Sequence, residues 1–173
     1  MPQHYEAWRT VLLRHGMHFE EGRFYQTAGR PVKELVSQLA AEQGVIVDAD
    51  SIAQERDAYF HSLGAAALRP VAVVVDIARR FRGAVPLAVA TGSTRISAEA
   101  SLRAIGTLEW FDAVISSDDG GRSKPAPDVF LLAAKAIAIP PTQCVVFEDA
   151  DAGIEGAQRA GMWAVDIREW LQR

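Results

Sequence analysis

The sequence contains a single cysteine, Cys144, among its 173 residues. One cysteine excludes an intrachain disulfide framework and a zinc site built from several thiolates. Such frameworks are typical of small secreted domains, so we expect a reduced, cytoplasmic setting. The fold must then be held by an apolar core, which a chain of this length and 49% hydrophobic content can form.

Long apolar runs and an excess of positive charge are also absent. No run approaches the roughly 18 residues needed to cross a bilayer, and the first residues lack a basic segment followed by an apolar one. We therefore expect neither a membrane span nor an export signal. With 18 basic against 22 acidic residues, the net charge of −4 argues against nucleic acid as the main partner. Local binding of phosphate remains compatible with that charge.

The hydrophobic pattern divides the chain into two parts. Residues 1–68 show apolar side chains at helical spacing between polar interruptions. Residues 69–173 alternate short β-rich runs with helical patterns, which implies a parallel sheet covered by helices. The run 71–75 has the composition of a strand, but its continuation and Pro70 favour a helix. The predicted fold class is α/β, with an all-helical lobe at 1–68 and a Rossmann-like core at 69–173.

The pattern also gives the individual elements. Apolar residues at helical spacing mark the helices, and short runs of β-branched or small apolar residues mark the strands. Helices are predicted over 4–14, 31–43, 50–63, 70–81, 95–105, 128–137 and 152–160, and strands over 87–91, 113–117, 144–148 and 163–167.

Two adjacent carboxylates, Glu148 and Asp149, end one of these predicted strands. The carboxyl ends of parallel strands form the ligand crevice of such sheets. Neighbouring carboxylates repel unless a positive charge lies between them, and Mg²⁺ takes one or two carboxylates while keeping other positions for water and phosphate. The alternative is that Asp149 or Asp151 caps the following helix.

Two further strand ends carry polar groups. The segment PLAVATGST places Thr91 at a strand end, followed by Gly92 and Ser93, so that a hydroxyl and backbone N–H groups could bind one anionic oxygen. The alternative is that Ser93 or Thr94 is a helix cap.

Lys124 lies in the segment GGRSKPAPDVF, where two prolines stiffen the backbone around the cation. The alternative is an ordinary solvated lysine. A hydroxyl, a fixed cation and a paired-acid metal site in one crevice together suit phosphoryl transfer, because that reaction depends on positioning and charge neutralisation.

These three segments resemble the motifs of the haloacid dehalogenase-like hydrolases, in the group that contains β-phosphoglucomutase and small sugar-phosphate phosphatases. AVATGST is similar to the second motif of that family, SKPAPDVF to the third and VVFEDADAGIEGAQRAG to the fourth. The resemblance implies that Thr91 and Lys124 grip the phosphoryl group, that Asp149 holds Mg²⁺ and that Glu148 supports the metal shell.

The resemblance also implies that residues 1–68 form a helical cap over the substrate. His4 falls where such proteins often carry a histidine near the phosphate, and Gly29 and Arg30 fall where the cap helps to select the substrate. His4 could instead be a solvated residue of the first helical turn, and Arg30 a surface charge.

One family motif is absent. The segment DxDGT, which should precede residue 1 and supply the nucleophilic and the general acid/base aspartates, does not occur in this sequence. Its strand is central in the family, so its loss leaves two unpaired sheet edges, which invite pairing with another chain. We expect either a shortened form of a longer enzyme or a sheet closed by exchange within a dimer.

The predicted function is therefore a Mg²⁺-dependent phosphohydrolase of small sugar phosphates that works through an aspartyl-phosphate. The chain alone should be inactive or nearly so. Alternatives are a non-catalytic phosphate-binding or protein-interaction module, and a β-phosphoglucomutase-type phosphotransferase in a full-length form. Dehalogenase chemistry fits less well, because a metal clamp helps a phosphoryl group more than a carbon–halogen bond.

Overall fold

The computed structural model describes residues 2–27, 32–63, 68 and 70–171. The chain forms two compact units, residues 1–68 and 69–173, and each has its own hydrophobic core. The described residues of unit 1 contain only helices as regular structure, whereas unit 2 contains parallel strands and helices. The α/β fold class predicted from the sequence is confirmed.

Unit 1 packs its helices around buried aromatic and aliphatic side chains. On the first helix, Trp8, Val11 and Leu12 recur at helical spacing and are at most 5% exposed. The third helix ends before Gly44, whose φ of +68° suits glycine and confirms the predicted stop. The helices are α1 Pro2–Arg14, α2 Glu21–Thr27, α3 Val32–Gln43 and α4 Ala49–Ser62.

Unit 2 follows the predicted alternation of strands and helices. Its first helix confirms the helical interpretation of 71–75, although it begins at Ala72, two residues after the predicted start at Pro70. The elements are α5 Ala72–Phe81, β1 Ala88–Ala90, α6 Arg95–Ala104, β2 Ala113–Ile115, α7 Asp128–Ala136, β3 Val145–Glu148, α8 Asp151–Arg159, β4 Trp163–Asp166 and α9 Arg168–Leu171.

The strands form two separate parallel pairs. β1 pairs with β2 in the register Ala88 to Ala113, and β3 pairs with β4 in the register Val145 to Trp163. Within the described part of the chain, no strand joins the two pairs. Each pair therefore keeps an unpaired edge, as expected for a parallel sheet without its central strand.

Helices α7 and α8 hold the two strand pairs in one unit. α7 packs on β1 and β2, α8 packs on β3 and β4, and the two helices contact each other. The contact is close because a Cβ on Gly156 would lie only 2.9 Å from the ring of Phe130. Side chains of both pairs, including Ala90 and Val146, pack against this one cluster.

The structure also shows the lengths of the apolar helices and the surroundings of the single cysteine. Among the described residues, no helix is long and apolar enough to span a bilayer. Cys144 directly precedes β3, its thiol donates to the carbonyl oxygen of Pro140 at 3.5 Å, and burial raises the pKa of this thiol.

Candidate active site

Lys124 connects the ends of the two strand pairs. Its Nζ lies 2.7 Å from Oε2 of Glu148 at the end of β3 and 3.4 Å from the carbonyl oxygen of Ala90 at the end of β1. The ammonium also lies 5.0 Å from the ring centroid of Phe130. The side chains of Lys124 and Glu148 are only 12% and 11% exposed, so the alternative of an ordinary solvated lysine is wrong.

Glu148 holds both Lys124 and the start of helix α8. Its Oε1 accepts hydrogen bonds from the backbone N–H groups of Asp149 and Ala150, each at 3.1 Å. These N–H groups precede the first turn of α8, so a carboxylate beside them is also favoured by the helix dipole. The glutamate thus uses both of its oxygens.

The predicted helix cap at Asp149 or Asp151 is wrong. The N-cap residue of α8 is Ala150, which makes no side-chain capping bond. Asp151 lies in the first helical turn and pairs with Arg168 at 2.8 Å, with a side chain that is 85% exposed. Glu148 accepts instead from the N–H groups of the two residues that precede the helix, Asp149 and Ala150, and this is not a side-chain cap of the first turn.

Asp149 is the second acidic group of the site. Lys124 pairs with Glu148, and Asp149 forms no ion pair among the described residues. It is half-buried, and burial together with the negative charge of Glu148 raises the pKa of its carboxyl above the ordinary value. A cation beside this carboxylate would relieve both effects.

The residues fit a hard cation in part. The described residues contain no group of three or more potential metal-ligating side chains. Asp149 offers one carboxylate, and Oε2 of Glu148 keeps one lone pair after accepting from Lys124. Mg²⁺ binds through one or two carboxylates and keeps several waters, so Asp149 with Glu148 beside it is a sufficient protein contribution.

The loop after β1 places a hydroxyl at the strand end. Oγ1 of Thr91 accepts a hydrogen bond from the N–H of Ser93 at 3.1 Å, while the Thr91 N–H continues the pairing with β2 by donating to Ile115 at 2.8 Å. The exposed Gly92 lies between them. Thr94, not Ser93, is the N-cap of α6, and its side chain accepts from the Ser97 N–H, so the capping alternative is confirmed for Thr94 alone.

This loop is tied to the loop after β2 by contacts that the sequence did not indicate. The guanidinium of Arg95 binds both oxygens of Asp119 at 2.6 and 2.7 Å, and the Arg95 N–H donates to Asp118 at 2.8 Å. Asp119 also accepts from the backbone and hydroxyl of Ser116. No sequence signal links charges that are 24 residues apart.

His4 lies on α1 of unit 1, where its ring stacks on Phe60 with centroids 4.3 Å apart and an interplanar angle of 9°. Burial, together with the positive charge of Arg56, lowers the pKa of His4 to about 4, so the imidazole is neutral at pH 7. His4 is thus a packed residue of its unit, and its role near phosphate stays a prediction. Gly29 and Arg30 lie outside the described residues.

Comparison with known proteins gives concordant matches. A sequence profile of haloacid dehalogenase-like hydrolases matches residues 1–161. The chain is 38% identical over 167 residues to the fructose-1-phosphate phosphatase YqaB of Escherichia coli (strain K12), covering 96% of this chain and 88% of that protein. It is 37% identical over 170 residues to the validoxylamine A 7'-phosphate phosphatase of Streptomyces hygroscopicus subsp. limoneus, covering 94% and 76%.

A solved structure shows the same fold. The β-phosphoglucomutase PgmB of Clostridium difficile superposes with a TM-score of 0.81 at 22% identity, over 95% of this chain and 76% of that one. At this identity the similarity supports the fold alone, and the chemistry must be argued from the residues of the site.

Proposed function

Because this chain belongs to the haloacid dehalogenase-like hydrolases, we propose that it serves the hydrolysis of small sugar phosphates. The relatives that support this are phosphatases, one named for fructose 1-phosphate and one for the phosphate ester of validoxylamine A. The shared chemistry is a phosphomonoester on a small polyhydroxylated molecule. We also propose a cytoplasmic setting, in keeping with the single cysteine.

The observation that carries the proposal is the position of Lys124. A buried ammonium fixed by Glu148 and by the β1 carbonyl, one residue before Thr91, is a preorganised site for a phosphoryl oxygen. We propose that Lys124 and the Thr91 hydroxyl grip the phosphoryl group. We propose that the N–H groups of Gly92 and Ser93 bind its remaining oxygens, the Ser93 N–H exchanging its bond to the Thr91 hydroxyl for one to the phosphate.

We propose Mg²⁺ as the cofactor, held by Asp149 with Glu148 supporting its shell. When bound, the ion supplies positive charge against the phosphoryl oxygens. Asp149 holds a half-buried carboxylate that forms no ion pair among the described residues, and Glu148 keeps Lys124 in place beside it. We propose that unit 1 contributes His4 near the phosphate, and Gly29 and Arg30 for substrate selection.

The sequence contains no DxDGT segment, so the nucleophile implied by the family is not among its residues. We propose that the chain alone binds phosphate esters and turns over little or none, and that hydrolysis needs an aspartate-bearing strand. The unpaired edges of the two strand pairs accept such a strand, or the edge of a second copy in a dimer. The second candidate function, a non-catalytic phosphate-binding module, is favoured by the same missing segment.

The test compares two acidic variants. Phosphate release from hexose phosphates and glycerol phosphate is measured with Mg²⁺ and with EDTA, using the protein isolated from its natural source and the chain as printed. Asp149→Ala should abolish the Mg²⁺-dependent rate, whereas the neighbouring exposed Asp151→Ala should change it little.

Three outcomes separate the proposals. An unchanged rate in Asp149→Ala would overturn the metal assignment. Binding of inorganic phosphate without turnover by the natural protein would favour the binding module. No phosphate binding by either protein would exclude both functions.

A further inference from the structure

Gly153 lies in the first turn of α8, directly beneath the Glu148 side chain. A Cβ built on Gly153 would overlap Cγ, Cδ and Oε2 of Glu148. Glycine is not required here by the backbone, since Gly153 lies inside a helix and does not have a positive φ. Glycine is among the poorest helix formers, so another requirement must account for it at this position.

The requirement is the path of the Glu148 side chain. To accept from the N–H groups of Asp149 and Ala150, this side chain folds back over the start of α8. The same orientation brings Oε2 to Lys124 at 2.7 Å. A methyl group at position 153 would occupy that path, so all three hydrogen bonds would have to change together.

We propose that Gly153 is a positioning residue of the phosphate site, acting through Glu148 on Lys124. The proposal deepens the proposed function and rests on it for the role of Lys124. The other glycines that the structure describes do not contact Glu148 in this way: a Cβ on Gly156 meets Phe130 and Ala126, and a Cβ on Gly22 meets nothing within 4 Å.

A double-mutant cycle tests the steric part without any catalytic assay. Gly153→Ala should lower the urea midpoint of unit 2, because it displaces Glu148. In a Glu148→Ala background the same change should raise the midpoint, because alanine is the better helix former and nothing is left to overlap. A reversal of sign between backgrounds supports the proposal, and an equal loss in both overturns it.

A second measurement needs only single variants, in case Glu148→Ala does not fold. Amide exchange at Asp149 and Ala150 should be faster in Gly153→Ala, because Glu148 no longer accepts from these groups. The matched control is Ala157→Gly, which weakens the same helix at a fully buried position one turn further along. Equal acceleration in both variants would show a general loosening of the helix and overturn the proposal.

The functional part is read by titration with inorganic phosphate. Gly153→Ala should lose about tenfold in affinity, because Lys124 is no longer held in place, whereas Ala157→Gly should lose little. Unchanged affinity in Gly153→Ala overturns the positioning role. If the parent protein binds no phosphate, the proposed function fails, while the cycle still decides whether Gly153 positions Glu148.

Discussion

Replacing Glu148 by alanine should destabilise unit 2 more than replacing Lys124 by methionine. The two side chains form one ion pair, but they do not have the same partners. Glu148 accepts from Lys124 and from two backbone N–H groups, whereas Lys124 donates to Glu148 and to one carbonyl oxygen. Loss of the carboxylate therefore leaves more groups without a partner.

The magnitudes follow from these contacts. Glu148→Ala removes the partner of an ammonium that is 12% exposed and frees two N–H groups at the start of α8. Breaking such a buried pair from one side costs about 3 to 5 kcal/mol, and we expect the upper half of that range. Lys124→Met keeps an apolar stem against Phe130 and leaves the carboxylate bound to two N–H groups, so we expect about 2 kcal/mol.

The assay is urea unfolding followed by hydrogen exchange mass spectrometry, which reports the two units separately. Unit 1 has its own core and serves as an internal reference in both variants. The buffer contains EDTA, so that no divalent ion replaces the lost lysine. An equal or larger loss in Lys124→Met would refute the reasoning, because it would show that the helix start does not stabilise the carboxylate.

Three further outcomes are expected. Asp149→Asn should stabilise the protein by about 1 kcal/mol in EDTA at pH 7. Because the pKa of Asp149 is raised in the folded state, this gain should fade as the pH is lowered through that pKa. Urea unfolding at pH 7 and at pH 4 measures the difference. For His4, whose pKa is lowered to about 4, the free energy of unfolding should fall by about 3 kcal/mol as the pH is lowered from 6.5 to 4, and His4→Phe should remove this slope. Thr91→Val should reduce phosphate affinity about tenfold in calorimetric titrations while lowering the unfolding midpoint only slightly, since the side chain keeps its shape and one hydrogen bond, from the Ser93 N–H, is lost.

Most elements were predictable because their hydrophobic period is clear. The helix over 95–104 and the strand over 145–148 differ from prediction by one residue at one end. Helix α2 was missed because it has seven residues and buries only Phe24, which is too short for a periodic signal. The strands form two separate pairs, which agrees with the expectation that the central strand of the sheet is missing from this sequence.

The residue types of the site were predictable, but their partners were not. Adjacent acids after a strand indicated a cation site, and short acids before a helix indicated a cap. In the structure no side chain caps α8, and Glu148 instead accepts from the N–H groups just before the helix, where Gly153 leaves room for its long side chain to fold back. A sequence pattern carries no information on that rotamer, nor on the Ala90 carbonyl that contacts Lys124.

The charges and hydrogen bonds of the site explain how Lys124 can pair with Glu148 and still have a donor for phosphate. When both carboxylates are ionised, Lys124, Glu148 and Asp149 carry a summed charge of −1, which opposes the approach of a phosphate dianion. A divalent cation at Asp149 changes the sum to +1, which makes cation and phosphate binding mutually favourable. The Lys124 ammonium has three N–H donors, and Glu148 and the Ala90 carbonyl use two among the described residues. In the function that we propose, the third donates to a phosphoryl oxygen, so the ion pair orients the lysine and persists while phosphate binds.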